Sequence, residues 1–202
     1  MHIAIAGNIG CGKTTLTTLL AKHFNWQPVY EKMESNPYIE HFYEDMRRWA
    51  FNLQIYFLNS RFRHVVEARK MYENIIQDRT LFEDARIFAP NLYAMGLMTT
   101  RDYETYLALF DLLLSFVPAP DLTIYLKASV PTLVRQIQKR GRTYETSIRL
   151  DYINSLNERY DEWLSNYKDK LLVVDMDEHD IERPEDLNKI IVRLNAEING
   201  LF

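Results

Sequence analysis

Along this chain, apolar runs of strand length alternate with longer stretches of helical period. His2–Ala6, Gln27–Glu31, Asn74–Arg79, Leu122–Leu126 and Leu171–Asp175 are short, together rich in Ile and Val, and read as buried strands. Each pair is separated by enough residues for at least one helix. That alternation predicts an α/β fold, with a parallel sheet covered by helices on both faces.

The helices show their own signals. Thr14–Phe24 follows the first strand directly, and Arg48–Met71 is long and carries Trp49, Leu53, Tyr56 and Phe57. Thr100 reads as the cap of a helix bearing Tyr103, Leu107, Phe110, Leu114 and Val117, which ends before the break Val117-Pro118-Ala119-Pro120. Pro131 sits in the first turn of a helix that stops at Gly141, a left-handed C-terminal position. Leu187, Ile190, Ile191, Leu194 and Ile198 form one apolar stripe ended by Gly200. The sequence contains no internal repeat and no low-complexity linker, so residues 1–202 read as a single domain.

Composition narrows the function classes. The 202 residues are 47% hydrophobic, which supports a sizeable core and excludes a disordered chain. With 24 basic and 28 acidic residues the net charge is −4, so the expected partner is a small molecule and not a nucleic acid. The one cysteine, Cys11, can form no internal disulfide. The apolar start lacks the basic flank of a signal peptide, and no run approaches the ~20 apolar residues of a membrane helix. A cytoplasmic protein, not membrane-bound, is expected.

The junction after the first strand carries the chemistry. Gly7-Asn8-Ile9-Gly10-Cys11-Gly12-Lys13-Thr14 fits G-x-x-x-x-G-K-[ST] between a strand and a helix, with Thr15 next. Glycines let such a loop wrap an anion, and its N–H groups join the helix dipole in holding phosphate. Lys13 would reach the β- and γ-phosphates, and the Thr14 hydroxyl would ligate Mg2+. Cys11 reads as a small residue that fits the loop.

Three more polar clusters fall at the same rim, where open parallel sheets bind ligands. Glu31 ends the second strand, Asp78-Arg79-Thr80 ends the third, and Arg140-Gly141-Arg142-Thr143-Tyr144-Glu145 follows the helix after the fourth. Phosphoryl transfer needs a held triphosphate, a metal, positive charge and a base for the acceptor. Thr14 and Asp78 can supply the metal shell, Arg140 and Arg142 the charge, and Glu31 or Asp78 the base. On the long helix Gln54, Leu58 and Arg61 share one face. The Gln54 amide sits among aromatic and aliphatic neighbours and needs a partner. It matches the Watson–Crick edge of adenine or cytosine.

These residues resemble the deoxyribonucleoside kinases, in particular bacterial deoxyadenosine/deoxyguanosine kinases. The resemblance rests on GNIGCGKTT, YEKMESNPYIEHFYEDMRRWAFNLQIYFLNSRF, IIQDRTLFEDARIFA and RQIQKRGRTYE, and runs over nearly the whole chain. It implies a P-loop kinase with a five-stranded parallel core, an arginine lid at about 138–148, and usually a homodimer. It also implies transfer of the ATP γ-phosphate to the 5′-hydroxyl of a deoxynucleoside. Glu31 then corresponds to the general base, Arg79 to the arginine that holds that region, and Asp78 to a magnesium residue. Tyr43 and Glu145 correspond to the pair that binds the sugar 3′-hydroxyl, and Gln54 to the reader of the base. Arg61 and Asp84 correspond to a pair found in members accepting purines or deoxycytidine. A thymine methyl would leave that polar pair poorly satisfied, so purine deoxynucleosides rank first and deoxycytidine next. The motif reads Asp78-Arg79-Thr80 where the family commonly has serine last. Some members carry an arginine at the position of Gln136; Arg135 beside it points about 100° around a helix and is not counted with the lid.

Two other readings compete. A nucleoside monophosphate kinase of the thymidylate type needs no strong base, which would leave Glu31 superfluous. A nucleotide-operated switch often shows D-x-x-G after a strand, and here Asp78 is followed by Arg79, Thr80 and Leu81.

Overall fold

The computed structural model describes residues 1–31 and 36–200. Lys32, Met33, Glu34 and Ser35, within the second quoted motif, and the final Leu201 and Phe202 lie outside the described residues. In chain order the elements are β1 (His2–Gly7), α1 (Lys13–Phe24), β2 (Gln27–Val29), α2 (Ile39–Glu44), α3 (Met46–Met71) and β3 (Ile75–Asp78). Then come α4 (Leu81–Glu83), a π-helical turn (Asp84–Phe88), α5 (Ala89–Ala94), α6 (Thr100–Leu114), β4 (Leu122–Lys127) and α7 (Val130–Arg140). A 3-10 turn (Thr143–Ser147), α8 (Leu150–Ser165), β5 (Leu171–Asp175) and α9 (Pro184–Asn199) complete the series.

All five expected strands form one sheet in the order β2-β3-β1-β4-β5, parallel throughout. The register sets Ile5 beside Asp78 and Gly7 beside Leu126, so the strands end together at one rim. Ile124 and Leu126 join one apolar cluster with Ile3, Ile5, Leu16, Leu20, Leu133 and Leu194. Tyr125, between them, joins another with Phe42, Phe57, Phe88, Tyr152 and Tyr160. Alternate residues of a strand point to opposite faces, so the two clusters cover the two sides of the sheet. A third packs Leu58 and Val65 of α3 against Tyr106 and Phe110 of α6. No helix among the described residues is long and apolar enough to cross a membrane.

Several boundaries differ from expectation for local reasons. Thr99, not Thr100, caps α6: its hydroxyl accepts from the Asp102 N–H at 3.2 Å. The helix ends at Leu114, so Val117 lies beyond it, though buried. β2 stops at Val29, leaving Glu31 in the segment after the strand. β3 stops at Asp78 because Arg79 takes a left-handed φ of 65°, which a strand cannot continue through. Gly141 and Gly200 do take the left-handed C-terminal positions.

Glu83 ties the rim together. Its side chain is fully buried. Oε2 accepts from the Thr80 N–H at 2.8 Å, and Thr80 caps the same turn in return, a reciprocal capping box. Oε1 accepts from the Tyr160 hydroxyl at 2.7 Å and from the Gly7 N–H at 3.2 Å. The end of β1, the segment after β3, and α8 therefore share one carboxylate. At the opposite end of the sheet His2 is buried, and its Nδ1 accepts from Arg69 Nε at 3.2 Å. Burial, reinforced by the charge of Arg69, holds the His2 imidazole down at about 3.

Two stability predictions follow from these groups. Glu83→Ala removes the partner of three donors at once and should cost about 3–5 kcal/mol. Tyr160→Phe removes two hydrogen bonds, one donated to Glu83 and one accepted from Arg79, and should cost about 1–3 kcal/mol. Urea unfolding of both variants checks the order, and equal losses would contradict it. His2 binds fewer protons folded than unfolded between pH 6.5 and about 3, so its contribution is complete above pH 6.5 and is lost as pH falls. Relative to pH 7, about 2 kcal/mol should be gone at pH 5, and His2→Gln should remove that slope.

Candidate active site

The loop between β1 and α1 is built for close approach. A Cβ on Gly7 would lie 2.6 Å from Cys11 Sγ and 2.9 Å from the Leu126 carbonyl oxygen. Gly12 begins α1 with φ 96°, a conformation that glycine adopts without strain. Lys13 folds back over the loop and donates from Nζ to the carbonyls of Gly7 and Asn8, both at 2.9 Å. Its ammonium is thus held at the loop mouth before any ligand arrives. The Thr14 hydroxyl donates to Asp78 Oδ2 at 2.5 Å, while Asp78 Oδ1 is buried with no hydrogen-bond partner among the described residues. Burial pushes the Asp78 carboxyl up, against the pull of Lys13.

Two loop side chains serve the fold. The Asn8 amide donates to the Ile153 carbonyl and to Asn157 Oδ1, both at 3.1 Å, pinning the loop to α8. Cys11 is buried, and burial raises its thiol pKa, which agrees with the packing role expected for it.

Beyond the loop, a charged cluster lies under the rim. Arg79 Nη1 donates to the Tyr160 hydroxyl at 3.1 Å and Nη2 to the Gly7 carbonyl at 3.4 Å. Its Nε lies 3.5 Å from Glu31 Oε2. Arg61 Nη1 donates to Asp84 Oδ1 at 2.6 Å and Oδ2 at 2.5 Å, and its Nη2 donates to Glu31 Oε1. Burial opposes ionisation of Glu31, but Arg61, Arg79 and Lys13 outweigh it and hold the carboxyl down at about 2. Burial pushes the Asp84 carboxyl up, while Arg61 pulls it back toward ionisation. The π-helical turn that begins at Asp84 carries Asp84 and Phe88 to this wall; such turns recur at functional sites.

A cavity of about 810 Å³ joins these groups. Lys13, Thr14, Thr15, Ile9, Gly10 and Gly12 line its loop end, and Glu31, Arg79, Arg61, Asp84, Gln54 and Tyr43 line its depth. Gln54 is 2% exposed, and among the described residues its buried Oε1 has no hydrogen-bond partner. Tyr43 stacks on Tyr144, with ring centroids 5.9 Å apart. Arg140, Arg142 and Glu145 close the mouth: Arg140 donates to Glu145 at 3.0 and 2.5 Å, and Arg142 lies 3.6 Å from the same carboxylate. Gln136 faces this cavity, whereas Arg135 lines a neighbouring hollow and donates to Thr132 Oγ1 at 3.3 Å.

Of the residues expected at the site, Gly7, Asn8, Cys11 and Asp78 stand behind the cavity wall and the others line it. Asp78 is nonetheless joined to the wall through Thr14. Sequence reasoning missed Glu83, Tyr160, the aromatic walls Phe57, Phe88 and Tyr152, and the rim residues Lys139 and Glu182. Signals for some of them were present. Thr80-x-x-Glu83 is a capping-box spacing, and Ile153, Leu156, Tyr160 and Leu164 repeat at the period of α8.

Comparison with known proteins agrees with this geometry. The family model described as deoxynucleoside kinase matches residues 3–199. A deoxyadenosine/deoxycytidine kinase of Bacillus subtilis is 38% identical over 170 residues, covering 82% of this chain and 77% of that protein. A deoxyguanosine kinase of Lactobacillus johnsonii is 35% identical, covering 95% of this chain and 92% of that protein. A deoxyadenosine kinase structure from M. mycoides with bound dATP superposes with a TM-score of 0.86 at 35% identity, covering 96% of this chain and 100% of that one. The same enzyme with the products dCMP and a flexible dCDP bound gives a TM-score of 0.88. A glycine-rich loop opening onto a cavity of about 810 Å³, and a family match over residues 3–199, lead to one conclusion: the chain belongs to the deoxynucleoside kinase family.

Proposed function

We propose that this kinase transfers the γ-phosphate of ATP to the 5′-hydroxyl of deoxyadenosine, then deoxyguanosine or deoxycytidine, in nucleotide salvage. One observation carries the reading: a single cavity runs from Lys13 and Thr14 past Glu31 to Gln54 and Asp84. A triphosphate in the loop and a nucleoside in the depth would meet at Glu31.

The loop N–H groups and Lys13 hold the donor phosphates. The Thr14 hydroxyl and the open Oδ1 of Asp78 suit Mg2+, which binds through few protein oxygens and keeps the rest of its shell for water and phosphate. Bound there, Mg2+ would neutralise charge on the transferring phosphate. Gln54, Arg61 and Asp84 read the base, and Tyr43 and Glu145 take the 3′-hydroxyl. Glu31 accepts the 5′-hydroxyl proton as the oxygen attacks the γ-phosphorus and the nucleoside diphosphate departs. Arg79 holds Glu31 in place, and Arg140 and Arg142, on a lid at about 138–148, turn to the phosphates. An acceptor that already carried a phosphate would meet the Glu31 carboxylate as like charge, which favours a nucleoside over a monophosphate.

The remaining properties follow the same reading. Residues 1–202 act as one domain, in the cytoplasm, without nucleic acid or membrane as partner. The chain is taken as a homodimer through the α3–α6 surface, where Leu112 and Phe116 are 60% and 66% exposed.

Glu31→Gln keeps the shape and removes the base. With MgATP and deoxyadenosine, kcat should fall by about 10²–10⁴ while the nucleoside KM stays within a few-fold. Near-normal turnover of that variant, measured by formation of the 5′-monophosphate, would overturn the role of Glu31.

A further inference from the structure

Arg61 spans two carboxylates with different tasks. Nη1 is committed to Asp84 and Nη2 to Glu31. Its guanidinium lies 4.5 Å from the Phe57 ring centroid, and the side chain is 5% exposed. Stacking and burial leave it little room beyond a small rotation in its own plane.

The surrounding charges make that rotation consequential. Glu31 touches two cations, Arg61 and Arg79. Arg79 is fixed by Tyr160, the Gly7 carbonyl and Glu83, and has no freedom to leave. Arg61, Asp84 and Gln54 line the same cavity, so a ligand held there can meet the guanidinium. Among the described residues its buried Nε has no hydrogen-bond partner, nor has Gln54 Oε1. A base in that depth with a hydrogen-bond acceptor toward Arg61 would compete with Glu31 for the guanidinium.

We propose that Arg61 couples recognition of the base to the chemical step: a base that pairs with Arg61 and Asp84 draws the guanidinium off Glu31 and frees that carboxylate for the 5′-hydroxyl. The inference rests on the kinase reading above and adds a consequence to it. A base that leaves Arg61 on Glu31 is bound beside an occupied carboxylate. Discrimination between bases then appears in kcat, and not in KM alone. Arg61 is a positioning residue in this scheme, since it acts on the proton acceptor and not on the reacting atoms.

The test is steady-state kinetics of the full chain at saturating MgATP, with deoxyadenosine and thymidine each taken to saturation. For the wild type, kcat with deoxyadenosine should exceed kcat with thymidine by at least about tenfold. In Arg61→Met/Asp84→Ala, which removes both charges together, the two kcat values should converge to within about threefold. Arg61→Lys provides a second reading if that variant does not fold. A single ammonium cannot span two carboxylates, so its kcat ratio should also shrink while deoxyadenosine still binds. Equal wild-type kcat values with all preference in KM would overturn the coupling and leave the kinase reading intact. An undiminished kcat ratio in the folded variants would do the same. Absence of phosphorylation of either nucleoside by the wild type would overturn both.

Discussion

A buried carboxylate carries the architecture of this site. Glu83 has no exposure to solvent, and an ionised group there without partners would be untenable. It is satisfied by the Thr80 and Gly7 N–H groups and by the Tyr160 hydroxyl. Those donors come from three separate stretches of chain, so satisfying one charge fixes where β1 ends, how the chain leaves β3 and how α8 lies across both. Arg79 inherits its place from the same arrangement. Its left-handed φ of 65° is an uncommon conformation for a side chain of that size. It persists because the guanidinium is anchored at Tyr160 and Gly7, where the backbone must turn to let it reach them.

The site that results interleaves opposite charges. Lys13, Arg61 and Arg79 stand among Glu31, Asp78, Glu83 and Asp84, and each cation already has protein partners. Preorganisation of this kind spares the cost of gathering charges during the reaction. It also means that ligands enter by exchange. On the proposed reading, phosphate would replace loop carbonyls around Lys13, a sugar hydroxyl would compete with Arg140 for Glu145, and a base would compete for Arg61. A closed internal network of this sort favours ligands that replace every contact they displace, which is the physical basis of selectivity against near analogues.

The sequence was most legible where structure is local. Buried parallel strands are continuous apolar runs, so all five could be located, with one-residue differences at β1, β3 and β4 and a larger one at β2, where Glu31 lies beyond the ladder. The phosphate loop was legible because glycines, lysine and threonine act within eight residues of one another. Less visible were the elements defined by distant partners. The α8 stripe of Ile153, Leu156, Tyr160 and Leu164 has ordinary helical period, but its importance lies in Asn157 and Tyr160 reaching Asn8 and Glu83. The π-helical turn at Asp84 has no sequence signature, since it differs from an α-helix by one residue in its hydrogen bonding. Thr99 and Thr100 are adjacent equivalents in sequence, and only the Asp102 N–H distinguishes them. Helix geometry alone set Arg135 about 100° from Gln136, and Arg135 lines the neighbouring hollow.

The most direct test of the account is the initial rate of MgATP-dependent phosphorylation of deoxyadenosine, deoxyguanosine, deoxycytidine and thymidine, each supplied alone to the full chain. The account requires 5′-monophosphate formation that is fastest with deoxyadenosine and slowest with thymidine, because it sets the base against the Arg61–Asp84 ion pair. Failure of all four, together with phosphorylation of a nucleoside monophosphate, would contradict it.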